Sequence, residues 1–196
     1  INAAGRMGSA ERGLRLLLSK DSLEADDIAK EINDENTARQ QTEQEISALA
    51  LKQIEETPDM KYDSVLVVSG EGWNDGVIGI VASRIVEKYG KPAIVISVDG
   101  EDAHGSGRSY DGFSLYDAIY SAKDLLIKFG GHALAAGVSL LPENVDELRA
   151  ALNNFAAGKP SVFPKLKIEC KLNPRGLSVD LADAIKTLEP FGTGNP

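Results

Sequence analysis

Residues 65–98 decide the fold. They read Val65-Leu66-Val67-Val68-Ser69, then a glycine-rich opening from Gly72 to Gly79 into a segment with Val77, Ile78, Ile80, Val81, Ile85 and Val86, then Pro92-Ala93-Ile94-Val95-Ile96-Ser97-Val98. The two outer runs are continuously apolar, which suits strands buried on both faces. The middle segment has helical spacing and stops at Tyr89-Gly90. Strand, helix and strand in this order make a βαβ crossover, which joins parallel strands.

Outward toward the C-terminus, the pattern predicts a strand over 103–109 and a helix over 115–128. A glycine turn leads to a strand over 134–140, and a helix over 142–157 closes the domain. Gly158-Lys159-Pro160-Ser161 reads as a linker. After it come an alternating strand over 166–172, which contains Cys170, and a short helix over 178–188. The fold class is α/β, a mixed sheet flanked by helices.

Outward toward the N-terminus, Ser9 caps a short helix carrying Leu14, Leu16, Leu17 and Leu18, and Asp21 with Glu24 reads as a capping box for a second. No glycine or proline follows until Thr57-Pro58, so that helix runs about 36 residues, roughly 54 Å. Its apolar positions sit at the ends: Leu23, Ile28 and Ile32, then Ile46, Leu49, Ala50 and Ile54. The middle, 33–45, is polar apart from Ala38. A helix polar all round at its centre bridges solvent between two bodies. The expected organisation is 1–20 as the tail of a preceding domain, 21–57 as a rigid strut, 58–158 as the α/β domain, and 159–196 as a linker and the opening of a further domain. The chain opens on Ile1-Asn2 and ends on Asn195-Pro196, and is read as part of a longer protein.

Composition narrows the function. The net charge is −9, with 7 basic and 13 acidic residues in 1–60, 7 and 10 in 61–140, and 7 and 7 in 141–196. A broad basic face for nucleic acid is excluded, so any polyanion must meet a small focused site. The single cysteine, Cys170, closes no disulfide within the chain and fits a reducing cytoplasm. No run reaches the roughly 20 apolar residues of a membrane span.

Four clusters combine glycine with polar side chains: residues 2–8, 70–79, 105–109 and 129–137. Gly105-Ser106-Gly107-Arg108-Ser109 is the most phosphate-like, with close backbone approach, two hydroxyls and a planar guanidinium fork. By itself it equally describes a strand with a glycine bulge. The glycines of 70–79 also serve close helix packing on a sheet, with Trp73 as a wedge. The roles of His104 and Arg84 stay open. Two histidines and one cysteine are too few for a zinc site, and no Asp-His-His triplet or Ser-His-acid order is present.

Together the clusters carry a resemblance. Asn2-Ala3-Ala4-Gly5-Arg6, the run from Glu71-Gly72-Trp73 through Gly76-Val77-Ile78-Gly79 to Ser83-Arg84, Gly105–Ser109, Gly130-Gly131-His132 through Ala135-Ala136-Gly137, and Leu188-Glu189-Pro190-Phe191-Gly192 through Gly194-Asn195-Pro196 resemble, in this order, the C-terminal half of the RecJ exonuclease family. The glycine–histidine cluster is similar to the hallmark of DHHA1 domains in the DHH phosphoesterase superfamily. The resemblance implies a DHHA1 domain over 58–158 behind a long interdomain helix, then the start of an OB-fold. It implies a metal-dependent 5′-to-3′ exonuclease on single-stranded DNA, acting in recombination and repair. Mn²⁺ or Mg²⁺ would be held by a DHH domain that matches no residue here, so no metal site and no activity are expected of this chain by itself.

Carried over by position, Ser106, Arg108 and Ser109 would hold DNA phosphates, the 5′-terminal one foremost. His132, the one candidate catalytic residue, with Gly130 and Gly131, would meet the substrate near the scissile phosphate. Arg6 would reach the same cleft. Implied partners are 5′-phosphorylated single-stranded DNA, a single-strand-binding protein and a helicase, with no membrane and a cytoplasmic location. Two alternatives remain: a DHH-family phosphodiesterase for short oligonucleotides or cyclic dinucleotides, and a non-catalytic interaction module suggested by the acidic residues of 20–60.

Overall fold

The computed structural model describes residues 2–159, 171–192 and 195, and they divide into two compact units, 1–164 and 165–196. In the first unit, helices α1 (Ala4–Met7) and α2 (Glu11–Leu18) precede the long α3 (Ser22–Glu56). There follow β1 (Leu66–Glu71), α4 (Asp75–Tyr89), β2 (Ala93–Asp99), β3 (Asp102–Arg108), α5 (Leu115–Ser121), β4 (Leu126–His132), β5 (Ala135–Leu140) and α6 (Val145–Ala157). The sheet order is β1-β2-β3-β5-β4, with β1 and β2 parallel and every other pair antiparallel. The second unit holds α7 (Val179–Lys186), begun by Ser178, whose hydroxyl accepts the Leu181 N–H. The alternating run at 166–172, with Cys170, lies almost wholly outside the described residues.

The two apolar strands are buried on both faces for the reason their composition implied. Val65, Val67, Ile94 and Ile96 point toward α5 and α6, while Leu66, Val68, Ala93 and Val95 point toward α3 and α4. The outer edge of β1 is closed by side chains. The Asn153 amide oxygen accepts the Ser64 and Val65 N–H groups, and Gln53 Oε1 accepts that of Ser69. These bonds satisfy donors that an edge strand would leave open.

Two expectations are corrected. The helix expected over 115–128 stops at Ser121, where Ala122 leaves helical geometry (φ −108°, ψ 18°); a 3-10 turn at Lys123–Leu125 follows and β4 begins at Leu126. Leu125-Leu126-Ile127-Lys128-Phe129 has apolar spacing compatible with either state, and the ladder offered by β5 decides it. Gly130-Gly131-His132 is therefore the end of a strand rather than a turn.

The second correction concerns α3. Its polar centre is mostly exposed, but two carboxylates in it pair with arginines of the same chain. Glu43 is 2% exposed and bonds both Arg39, one helical turn away, and Arg84 of α4. Glu35 likewise pairs with Arg12 of α2. On either side of this polar band, Ile28 and Ile32 meet Ala4, while Ile46, Ala50 and Ile54 join the α4 core. Asp21 caps α3 through the Leu23 N–H at 2.9 Å, but Glu24 turns to Arg15 and Ser19 instead of completing a capping box.

Removing the buried carboxylate leaves two arginines facing an empty site. We expect Glu43→Ala to lower unfolding free energy by about 3 kcal/mol, as for the loss of one partner from a buried pair. Arg84→Ala, whose guanidinium is half exposed, should cost at most about 1 kcal/mol. Urea unfolding of the two variants checks this; equal, small losses would show that Glu43 is not what holds α3 to α4.

Candidate nucleic-acid interface

The antiparallel register brings the sequence clusters together. Arg108 lies opposite Ala135, which lies opposite His132; Ser106 lies opposite Gly137, opposite Gly130; His104 lies opposite Ser139, opposite Lys128. Residues directly opposite in an antiparallel pair share a face, so these three rows lie on one face, the one α4 covers. The apolar cluster on α4 takes its sheet residues from β1 and β2. Over β5 and β4 the same face is open, and Gly130, His132 and Gly137 are exposed.

The closed end of this face is built by missing side chains. A Cβ at Gly79 would lie 2.8 Å from Arg108 Nη2 and 2.9 Å from Ser106 Oγ, so α4 can sit beside β3 with Arg108 between them only because position 79 is bare. Three residues earlier on the same helix face, a Cβ at Gly76 would run into the Arg6 carbonyl. Arg6 Nη1 donates to the Gly76 carbonyl at 3.1 Å. Asn74 starts α4 by accepting the Gly76 N–H at 2.9 Å. Gly70 leaves room for the Trp73 indole, the wedge expected of it.

Arg108 is aimed by its neighbours, Nη1 donating to Ser106 Oγ at 3.1 Å and to the Gly107 carbonyl at 2.8 Å. Partial burial first, and the like charge of Arg6 second, hold its guanidinium below the usual arginine pKa. The group stays protonated, and among the described residues neither Arg6 nor Arg108 makes an ion pair with a carboxylate, an arrangement that an oxyanion relieves.

The other sequence candidates divide. His132 is exposed, and its Nδ1 accepts the Leu134 N–H at 3.2 Å; while that bond is made, Nε2 is the ring's donor. Ser109 is spent internally: its hydroxyl donates to the Phe113 carbonyl at 2.8 Å and its N–H to the Leu134 carbonyl. Gly131 lies opposite Ala136 on the other sheet face, with φ +140°, a backbone need of its own. Gly76, Gly79, Lys128 and Ser139 escaped the sequence reading as site residues. The spacing of the two glycines on one helix face was the available signal, while Lys128 and Ser139 needed the sheet register. Among the described residues, no three His, Cys, Asp or Glu side chains are grouped to hold a metal ion.

Residues 62–158 match the DHHA1 domain family. The whole chain is 36% identical over 201 residues to the single-stranded-DNA-specific exonuclease RecJ of Bacillus subtilis and covers 25% of it. It is 35% identical over 196 residues to that of Thermus thermophilus and covers 28%. The crystal structure of Thermus thermophilus RecJ with Mg²⁺ matches the whole chain with a TM-score of 0.85 at 34% identity, over 30% of that protein; the Mn²⁺ form gives 0.84. The chain thus spans between a quarter and a third of the length of these relatives.

Position 79 tests the site's construction. Gly79→Ala is expected to displace Arg108 and weaken binding of inorganic phosphate by roughly tenfold, the loss of about one charge-assisted hydrogen bond. Phosphorus NMR titration reads this, and an unchanged affinity would show that Arg108 is not held there by the bare helix face.

Proposed function

The chain belongs with the RecJ exonucleases and carries their DHHA1 domain at residues 62–158, and from that premise we propose that it is the substrate-holding part of a 5′-to-3′ single-stranded DNA exonuclease. The carrying observation is the placing of Arg6 and of Arg108 with Ser106 against the bare α4 face at Gly76 and Gly79, in an otherwise acidic chain. These groups take the 5′-terminal phosphate. A fork of N–H donors on a half-buried cation matches phosphate oxygens two at a time. His132, proton on Nε2, donates to the next phosphate, one row-end away on the open face.

Fixing two consecutive phosphates holds the bond between them in one place, which is how positioning lowers a barrier without chemistry from the positioning residues. Metal ions in such an enzyme supply an activated water and offset charge on the phosphorus. In this proposal their ligands lie in a DHH domain outside this sequence. The ion pairs of Glu43 with Arg84 and of Glu35 with Arg12 tie α2, α3 and α4 into one piece, so Arg6 and Arg108 keep their spacing. The reading places the enzyme in DNA recombination and repair in the cytoplasm, alongside a single-strand-binding protein and a helicase. No described helix is long and apolar enough to cross a membrane.

Titration of the chain with a short labelled single strand, with and without a 5′-phosphate, tests the reading. The phosphate is expected to tighten binding about tenfold, and Arg108→Ala to abolish that preference while leaving the fold intact, since one charge-assisted contact carries on the order of 1.5–3 kcal/mol. A strand bound equally well with and without its phosphate would sink the assignment of Arg6, Ser106 and Arg108.

A further inference from the structure

Most strand glycines in this molecule have an internal reason to lack a side chain. A Cβ at Gly105 would strike Val138, one at Gly107 would strike Leu115, one at Gly70 would strike Trp73, and Gly131 has φ +140°. Gly130 and Gly137 have none. A Cβ at Gly130 would meet nothing within 4 Å, one at Gly137 only the Gly105 carbonyl at an ordinary 3.8 Å, and neither has positive φ. They lie directly opposite one another in neighbouring strands. Strand glycines weaken a sheet and commonly mark a place where something outside lies close to the backbone.

What borders this bare patch points to a ligand. Ser106 ends the patch's own row. On one side is the row of Arg108, Ala135 and His132; on the other, one strand repeat away, His104 Nδ1 shares a hydrogen bond with Ser139 Oγ at 3.1 Å, and Lys128 completes that row. Beyond His104 the face opens into a cleft of 280 Å³ lined by Trp73, Asp75, Ser97, Asp99, Asp102 and His104. Ser97 is 5% exposed and lines that cleft, and among the described residues its hydroxyl has no hydrogen-bond partner. The cleft sits at the carboxyl ends of the parallel strands β1 and β2, the usual crevice for ligands of open α/β sheets.

We propose that the Gly130–Gly137 patch is a nucleobase subsite, where the base of the nucleotide whose phosphate is held at Ser106 and Arg108 lies flat on exposed peptide planes with its polar edge toward His104, Ser139 and Ser97. This rests on the phosphate assignment made above. The cleft wall of Asp75, Asp99 and Asp102 offers acceptors and no cation, so it favours an edge bearing N–H donors and repels phosphate, which keeps the backbone at the arginine end. The lack of side chains at 130 and 137 leaves room for any base, so the subsite grips without strong sequence preference, as stacking does.

The test compares a 5′-phosphorylated tetranucleotide with the same strand lacking its first base. The native chain is expected to lose roughly tenfold in affinity when that base is absent, within the range a stacked base contributes. Gly137→Val places a branched side chain on the patch at a position where an ordinary strand residue fits. It is expected to bind the intact strand only as well as the base-free one, with the 5′-phosphate preference kept and the unfolding midpoint unchanged or raised. Gly130→Val should do the same, and Ser97→Ala with His104→Ala should lose affinity for the intact strand alone. If the native chain binds both strands equally, or if Gly137→Val and Gly130→Val keep the native ratio between them, the base subsite is wrong while the phosphate reading stands. If the native chain shows no 5′-phosphate preference, both readings fall together.

Discussion

The site depends on one constraint, the bare face at the start of α4. Gly76 and Gly79 are one turn apart, so they lie on the same side of the helix. One admits the Arg6 main chain, and the other admits the Arg108 guanidinium and the Ser106 hydroxyl. A methyl group at either position would push a cation out of the group, because the contacts replaced are with backbone or with a side chain already bonded to its neighbours. The rest of the buried side of α4 is apolar. Val77, Ile78, Val81, Ala82 and Ile85 are buried among α3 and the sheet, and this packing holds the bare face against the arginines.

Charge is arranged with the same economy. A chain with net charge −9 repels a polyanion at long range, so on the proposed function attraction comes from a few desolvated cations acting at short range, where the effective dielectric is lower. Arg108 fits this description, being half buried and beside a second guanidinium rather than a carboxylate. Other arginines are ion-paired: Arg12 with Glu35, Arg15 with Glu24, Arg149 with Asp63, and Arg39 and Arg84 sharing Glu43. The acidic residues of the long helix thus serve partly to occupy basic side chains and to fasten the helix to the α/β domain.

The open end of the sheet is the counterpart of the closed end. β1, one edge, is sealed by Asn153 and Gln53. β4, the other edge, keeps Ile127, Lys128, Gly130 and His132 exposed. Within the chain nothing covers that edge's α4-side face among the described residues, and the polar side chains of three neighbouring strands converge there.

What the sequence by itself determined was local or compositional. Continuous apolar runs at 65–69 and 92–98 announced strands buried on two faces, glycine and proline spacing announced the long helix, and the ordered clusters carried the family. Arg6, Ser106, Arg108 and His132 stood out as candidates because their residue types and glycine settings are unusual at short range. The tertiary structure decided what depends on pairing between distant segments. It turned 126–132 into a strand, since β5 supplies the ladder, and it brought Glu43 against Arg84. It also spent the Ser109 hydroxyl on Phe113 and set Gly130 opposite Gly137 beside Ser106. The physical reason is that a side chain's neighbours across a sheet are set by hydrogen-bond register, which no local spacing encodes.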